Sequence, residues 1–294
     1  MILYKYLQPV RVDVLEQKMI RFTQPGEFND PFEFRPYIQS AASDKAIQDY
    51  VEANFDKIVE AELAKYGALL QLGLGHKLKE MVQVNRPMML EFFRRLEPKT
   101  LKNLAPSMDS VLNRNVGILC LSEVPDSILM WGHYTDAHRG FVIGFDSEHP
   151  FFSSRRSAED EFGFLRQVIY QRQRPKVVLS DTSSPAWFNT KSDQWAYERE
   201  WRMLRVLSEA NFRDEKTGFP VCLFEFPADS VLEIIIGMRS TSSFIQQLKS
   251  HASSFPRAAL RQARENSKEY SLVIETIKSI SWPHSGTDRL TATS

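Results

Sequence analysis

The hydrophobic pattern changes twice along this chain, from strand-like to helical and back to strand-like. At the start, the apolar segments ILYKY and MIRF predict two short strands on either side of a short helix, RVDVLEQK. The turn-forming segment QPGEFNDP follows the second strand. The chain is therefore expected to begin as strand, helix, strand and loop.

A helical pattern occupies residues 43–114. Apolar side chains recur there at helical spacing and predict one amphipathic helix, namely at Ile47, Tyr50, Val51, Phe55, Ile58, Val59 and Leu63. Further helical pattern follows, interrupted by prolines at Pro87, Pro98 and Pro106. This region predicts an all-helical insertion between strands.

The strand-like pattern returns from Val116 onwards. The candidate strands are GILCLS, GFVIGFD, FLRQVIY, EWRMLRV, VCLFEF, VLEIIIG and LVIETIK. A short helix follows VLEIIIG, with N-cap candidates at Ser240, Thr241 and Ser242. The sum predicts one α+β domain over residues 1–284, with a central mixed or mostly antiparallel sheet and an inserted all-helical subdomain over 43–114. Residues 285–294 predict a disordered tail.

Composition narrows the partners of this chain. Its hydrophobic content of 43% and charged content of 25% are typical of a globular protein. Lys plus Arg and Asp plus Glu are both 37, which disfavours a broad basic surface for nucleic acid or an anionic membrane. Cys120 and Cys222 lie inside apolar runs and predict buried thiols. Without a visible secretory signal or a long apolar run, a cytoplasmic location with no membrane association is expected.

The segment MWGHYTDAHRGFVIGFD contains the first group of candidate functional residues. Within nine residues it places Trp131, His133, Tyr134, Asp136, His138 and Arg139, directly before an apolar strand. This density of polar and aromatic side chains predicts a site. Three interpretations stay open: contact with a substrate, hydrogen bonds that hold the loop, or a metal site that combines His133 and Asp136 with a carboxylate such as Glu123.

The segment KSDQWAYEREWR contains the second group of candidate functional residues. If YEREWRML is extended, Glu198, Glu200 and Arg202 share one face of a strand, and Tyr197, Arg199 and Trp201 share the other. The first set predicts either an internal Arg–Glu pair that braces the sheet, or a catalytic carboxylate with Arg202 and Lys191 binding an anion.

Two weaker features complete the candidates. In FNDPFE, Asn29 and Asp30 predict a turn before Pro31 or, alternatively, a polar loop that contacts a ligand. After Gly237, free backbone N–H groups at a helix start and the nearby Arg239 predict a phosphate contact. The sequence has no GxxxxGK[ST], GxGxxG, GxSxG or HExxH motif, which disfavours four common enzyme classes.

Four spaced motifs together resemble a known family. LYKY, FNDPFE, the block MWxHYxxxHxGxxIGF and WxYExEWR occur in this order in the bacterial family known as domain of unknown function 2971. The resemblance runs from Leu3 to about Gly237, with the helical insertion as its variable part. The family name implies no activity. The resemblance implies an intracellular protein of bacteria. Some members of the family are encoded near defence or toxin-like genes.

An analogy to the ADP-ribosyltransferase fold suggests a reaction. That fold has an early strand with a His or Arg, then an aromatic block that cradles nicotinamide, then a late strand with a catalytic Glu. This chain has LYKY, with Lys5 in place of the usual His or Arg, then the Trp131 block, then Glu198 or Glu200. It lacks a clear Ser-Thr-Ser strand after the first motif. The analogy is at the level of fold order alone.

These features lead to an expected enzyme that acts on NAD or another nucleotide, by ADP-ribosyl transfer or glycohydrolysis. NAD is expected as a substrate, and no cofactor is firmly predicted. The expected catalytic residues are Glu200, Glu198 and His133. The expected substrate-binding residues are Lys5, Asn29, Asp30, Trp131, Tyr134, His138, Lys191 and Arg202.

Two other functions stay open. One is a binding module without chemistry, which recognises a nucleotide, a nucleic-acid end or a protein, with the helical insertion as the surface for a protein partner. The other is a metal-dependent nuclease that uses Asp30, Glu33, His133 and Asp136. The two motif-rich segments are expected to converge on one pocket. His133, Tyr134 and His138 would meet the face of Glu198, Glu200 and Arg202 there, with Asn29 or Asp30 at the rim.

Overall fold

A computed structural model describes residues 1–64, 76–77, 80, 91, 104, 106–181, 186–215 and 218–277. These residues divide into two compact units, each assembled from distant segments. The first unit contains Met1–Lys18, Glu123–Ser147 and the described part of Phe226–Ser294. The second contains the described parts of Met19–Ser122 and Glu148–Glu225. The single domain over 1–284 stays a prediction, and the predicted tail lies outside the described residues.

Strands dominate the described chain. In chain order they are β1 (Ile2–Leu7), β2 (Met19–Arg21), β3 (Tyr37–Ser40), β4 (Val116–Ser122), β5 (Phe141–Asp146), β6 (Leu165–Gln167), β7 (Ile169–Gln171), β8 (Lys176–Val178), β9 (Thr190–Ser192), β10 (Glu200–Val206), β11 (Phe212–Asp214), β12 (Val221–Glu225), β13 (Val231–Ile236), β14 (Ala259–Glu265) and β15 (Leu272–Thr276). The α-helices are α1 (Asp13–Gln17), α2 (Asp44–Ala64), α3 (Ile128–Tyr134) and α4 (Ser242–Ala252), and residues 106–115 are also helical. Each strand predicted from the sequence is present, with FLRQVIY divided into β6 and β7.

The first unit is built on strands in the order β15-β14-β13-β5-β1. Neighbours are antiparallel except for β13 and β14, which are parallel and are joined through α4. Helix α4 buries Phe244 and Leu248, one turn apart, and the predicted N-cap is Thr241, whose side chain accepts from the Phe244 N–H. The predicted α+β class and mixed sheet are therefore confirmed.

The second unit contains three antiparallel strands in the order β4-β10-β6 and three more in the order β11-β12-β2. The strands β3 and β8, and likewise β7 and β9, form two short parallel pairs. Its core includes Phe34, Val116, Ile118, Phe188 and Leu204. The predicted insertion over 43–114 is helical where its two ends are described, and an all-helical subdomain stays a prediction.

None of the described helices has both the length and the apolar character that crossing a membrane requires.

Candidate functional site

Five charged side chains form a buried ionic cluster in the second unit. Lys191 and Arg202 supply the positive charges, and Glu33, Glu198 and Glu200 supply the negative ones. The Lys191 ammonium lies 2.9 Å from Glu33 Oε1, 2.6 Å from Glu198 Oε2 and 3.0 Å from Glu200 Oε2. No member has a side chain more than 6% exposed. We call these five residues the ionic cluster.

Arg202 organises the cluster from strand β10. Its Nε donates to Glu200 Oε1 at 2.7 Å, its Nη2 to Glu33 Oε1 at 2.7 Å, and its Nη1 to the Phe188 carbonyl at 2.7 Å. The guanidinium also lies 4.8 Å from the centre of the Phe34 ring. Because all three nitrogens are paired, the fork geometry of arginine is fully used.

Local backbone geometry brings both Glu198 and Glu200 inward. Residues Asp193–Glu198 form a 3-10 helix, and Arg199 then adopts a left-handed conformation with φ 44° before β10 begins at Glu200. The extended conformation predicted for YEREWRML is therefore wrong before Glu200. The turn, rather than strand alternation, places both carboxylates within hydrogen-bond distance of the Lys191 ammonium.

The FNDPFE motif delivers Glu33. Asp30 Oδ1 accepts a hydrogen bond from the Phe32 backbone N–H at 2.8 Å, which is the predicted turn. Asp30 is buried, whereas Asn29 is exposed. The side chain of Glu33 then enters the cluster 169 residues away in sequence from its partner Arg202. Sequence reasoning missed this partnership, since nothing local links the two residues.

The charges in the cluster do not balance, because three carboxylates face two cations. Burial raises the pKa of Glu33. Arg202 and Lys191 act to lower this pKa, and Glu200 adds to the rise. Burial also acts on Glu200, but Arg202 and Lys191 outweigh it and lower its pKa to about 2. The pKa of Lys191 is raised despite its burial, chiefly by Glu200 and Glu33. Glu33 therefore takes up a proton more readily than Glu200.

A cavity of about 270 Å³ adjoins the cluster. Glu33 and Lys191 lie in its buried wall, and arginines and aromatic side chains form the exposed part, namely Arg35, Arg172, Arg174, Phe32 and Trp187. We call it the Glu33 cavity. Its size is close to the lower end of the range for small-molecule sites, ~300–1,000 Å³.

Polar groups without a described partner belong to three residues that line the Glu33 cavity. In the part of the chain that the structure describes, Glu33 Oε2 is buried and has no hydrogen-bond partner. Over the same residues, no carboxylate pairs with Arg172 or Arg174, and the Arg174 guanidinium lies 5.0 Å from the centre of the Phe32 ring. Phe32 is itself 61% exposed. The cavity can therefore offer cations and a ring face to one ligand, above a buried carboxyl.

The HYTDAH segment forms a tight turn in the first unit. Helix α3 ends at Tyr134, and Asp136, Ala137 and His138 follow with φ of 52°, 51° and 69°. The Gly140 N–H donates to the Thr135 carbonyl at 2.8 Å, which closes the turn. His133 and Asp136 therefore do not share one helical face, because the helix ends before Asp136.

Trp131 has a packing role in this unit. It is fully buried, and its indole N–H donates to the Pro125 carbonyl at 2.7 Å. The Tyr6 ring packs against it edge-on at 5.6 Å, and the His138 ring stacks on it at 6.3 Å. The ring that was expected to stack on a ligand is thus enclosed by protein.

The other candidates of the first unit differ in exposure. His133 is exposed, and Tyr134, His138 and Lys5 are half-buried. Burial and then Arg239 lower the pKa of His138, so its imidazole is held neutral. The Gly237 and Arg239 N–H groups donate to the carbonyls of Gly140 and His138 at 2.9 and 3.0 Å, so neither is free, and a phosphate contact at the helix start stays a prediction.

The Gly140→Ala substitution tests how tightly this turn is packed. An added Cβ would lie 2.0 Å from the Leu7 carbonyl oxygen, so the backbone must shift. We expect the free energy of unfolding to fall by about 1–3 kcal/mol, measured by urea denaturation. Gly132→Ala is the matched control, since a Cβ there meets nothing within 4 Å. On helix α3 it is expected to stabilise by up to ~1 kcal/mol. Equal stabilities of the two variants would contradict the tight packing.

The described residues contain no group of three or more His, Cys, Asp or Glu side chains that could hold a metal ion. Nothing in their geometry therefore supports the metal-site interpretation of HYTDAH.

The structure groups the predicted site residues by unit. The second unit brings together Lys191, Glu198, Glu200 and Arg202, and adds Glu33. The first unit holds the HYTDAH residues and Lys5. Convergence of both motif-rich segments on one pocket stays a prediction. Sequence reasoning missed Arg172 and Arg174, although the basic run QRQRPK after a strand-like segment was a usable signal.

Comparison with known proteins supports the family resemblance alone. No curated protein and no solved structure matches this chain. The segment that matches a family model includes the HYTDAH turn, Lys191 and three other members of the ionic cluster. As the four spaced motifs predicted, residues 130–203 of this chain match the family described as Protein of unknown function (DUF2971).

Proposed function

We propose that this chain is an enzyme that acts on a nucleotide and that the Glu33 cavity is its active site. One observation carries the proposal. The cavity combines a buried carboxyl of raised pKa, with one oxygen unpartnered among the described residues, and two guanidinium groups that no described carboxylate neutralises. Perturbed carboxyl groups beside open, charged cavities are typical of active sites.

The exposed part of the cavity suits the phosphates and base of a nucleotide. Arg172 and Arg174 donate to phosphate oxygens in this proposal, and their guanidinium forks match that geometry. Phe32 and Trp187 offer ring faces for a base. The expected anion-binding roles of Lys191 and Arg202 move to these arginines, because Lys191 and Arg202 are occupied by carboxylates.

The reaction proposed is cleavage of an N-glycosidic bond, with NAD as the first substrate to test. The C1′–N bond breaks, and its electron pair leaves on the ring nitrogen of nicotinamide. Ionised Glu33 stabilises the positive ribosyl centre, and a water oxygen bonds to C1′ while its proton passes to Glu33. Transfer to an acceptor replaces that water with another nucleophile. Glu198 and Glu200 are then positioning residues, which hold Lys191 and Arg202 around Glu33.

Incubating the purified chain with NAD and measuring free nicotinamide by chromatography tests the proposal. Release by the wild type is expected. The double variant Arg172→Gln/Arg174→Gln is expected to raise KM at least ~10-fold with little change in kcat, since it removes contacts made equally in the ground and transition states. Arg213→Gln is the control, because Arg213 is an exposed arginine of the same unit paired with Glu215. Absence of release from NAD and from a panel of nucleotides would overturn the enzymatic proposal.

A binding module without chemistry is the second candidate function. The observation that favours it is the complete pairing of Glu198, Glu200 and Arg202, which is also the pattern of a structural ion-pair network. Calorimetry with AMP and ADP-ribose separates the two functions. Binding that depends on Arg172 and Arg174, without release of any base, supports the module.

A further inference from the structure

Arg205 is a half-buried cation whose charge no carboxylate neutralises at contact distance. It lies on β10 of the second unit, three residues after Arg202. Among the described residues, its guanidinium makes one hydrogen bond, from Nη2 to Ser154 Oγ at 3.3 Å, and no ion pair within 4.0 Å. A guanidinium has five N–H donors, so most of those of Arg205 have no protein acceptor. Arg202, by contrast, has an acceptor for each of its three side-chain nitrogens.

Three aromatic rings hold this guanidinium in place. It lies 5.0 Å from the centre of the Phe151 ring, 5.4 Å from that of Phe224 and 5.9 Å from that of Phe22. The rings favour the cation but supply no hydrogen-bond acceptors. Arg205 is half-buried, and burial lowers its pKa against the opposing effect of Glu209. A fixed, half-buried guanidinium is well suited to pairing with an anion.

The guanidinium opens onto a second cavity, of about 250 Å³, which we call the Arg205 cavity. It has room for about eight waters, at ~30 Å³ each. Arg156 and Ser154 also line it. Arg156 can donate to a bound oxygen, whereas the Ser154 hydroxyl already donates to the Gly163 carbonyl at 3.2 Å. It lies in the same unit as the Glu33 cavity but shares no lining residue with it.

Both carboxylates in the wall of the Arg205 cavity are already engaged. Asp160 accepts backbone N–H groups from Phe162 at 3.0 Å and Arg156 at 3.1 Å, and these bonds lower its pKa. Glu209 pairs with the Arg156 guanidinium. Neither lies within ion-pair distance of Arg205. The cavity therefore has cationic donors to spare and no carboxylate left to fill them.

We propose that the Arg205 cavity is a binding site for the phosphate group of a small molecule, separate from the Glu33 cavity. The phosphate oxygens accept from the Arg205 guanidinium, and Arg156 closes over them from the exposed side. Free phosphate and a phosphate ester present the same dianionic group. The chemistry that recognises either one is the arginine fork.

Calorimetric titration of the full chain with inorganic phosphate tests this site. The titration is repeated in the Arg172→Gln/Arg174→Gln background, which removes the free guanidinium groups of the Glu33 cavity. Phosphate binding is expected to persist in that background and to weaken at least ~10-fold on adding Arg205→Gln, because a charge-assisted bidentate contact is lost. Arg205→Lys is expected to fall between the two, since it keeps the charge and loses the fork. Arg213→Gln is the control.

A parallel titration with AMP identifies the source of the phosphate group. Binding at least ten times tighter than that of inorganic phosphate, with the same dependence on Arg205, assigns the site to a phosphate ester. Comparable affinities assign it to the free anion. Circular dichroism confirms that each variant is folded. No binding of either probe, or binding that folded Arg205→Gln and Arg205→Lys leave unchanged, overturns the proposal. The background variant lacks the Arg172 and Arg174 guanidinium groups of the Glu33 cavity. The result for the Arg205 cavity is therefore independent of the test for nicotinamide release.

Discussion

Replacing Arg202 with methionine is expected to lower the free energy of unfolding by about 3–5 kcal/mol. Arg202 is fully buried and holds Glu33, Glu200 and the Phe188 carbonyl, each at 2.7 Å. Methionine keeps much of the volume but removes the charge. Three buried carboxylates would then face one cation, Lys191. Breaking a buried pair on one side costs more than the pair itself contributes, because the remaining charge is left without a partner.

Urea denaturation followed by circular dichroism measures this effect. Arg213→Met is the control, because an exposed ion pair contributes ~0.2–1 kcal/mol. Arg202→Lys keeps one positive charge but cannot make the three separate bonds of the guanidinium, so it is expected to lie between wild type and methionine. A folded Arg202→Met protein within about 1 kcal/mol of the wild type would show that the cluster is not a structural element of the second unit.

The apolar pattern predicted the strands that are buried in the sheets. GILCLS and VLEIIIG became β4 and β13, whose residues are almost all buried, so their sequences read as apolar runs. The strands that the pattern missed are polar or very short. β14, ALRQARE, is mostly half-buried, and β9 is only three residues long. Such strands depend on partners distant in sequence, and a local pattern does not carry that information.

The candidate site was predictable in part. A Lys, two Glu and an Arg beside one strand correctly indicated a charged constellation at Lys191, Glu198, Glu200 and Arg202. Strand periodicity gave the wrong reason, since a left-handed Arg199 separates Glu198 from β10. Glu33 joins from a distant turn, and only the tertiary fold reveals it. Trp131 shows the converse, because an aromatic residue among polar neighbours gave no sign that it would be fully buried.

The ionic cluster should make stability depend on pH in two opposite ways. For Glu33 the folded-state pKa is raised, so its contribution is full below the usual value of 4.5 and is lost as pH rises through the raised pKa. For Glu200 the folded-state pKa is lowered to about 2, so its contribution is full above 4.5 and is lost as pH falls towards 2. Near neutral pH, Glu200 therefore stabilises the fold, and Glu33 works against it.

Glu33→Gln should consequently reduce activity while increasing stability. Glutamine keeps an oxygen for Lys191 and Arg202 and leaves two cations facing two carboxylates, which removes the excess negative charge. Because glutamine cannot accept the proton of the attacking water, kcat for nicotinamide release is expected to fall by ~10²–10⁴-fold. The free energy of unfolding is expected to exceed that of the wild type, by a margin that grows as pH rises through the raised pKa of Glu33.

Glu200→Gln is the matched control, and its effect on stability has the opposite sign. At neutral pH it should destabilise the protein by on the order of 3 kcal/mol, a margin that shrinks as pH falls towards 2. Urea denaturation of wild type and both variants at a series of pH values, with NAD turnover assayed where each is folded, measures the two effects together. A Glu33→Gln protein less stable than the wild type at pH 8 would mean that Glu33 is a structural anion. Unchanged turnover in that variant would place the chemistry on another residue. Stability gained together with turnover lost is the result expected of a carboxyl kept buried for catalysis, because only function then explains its cost to the fold.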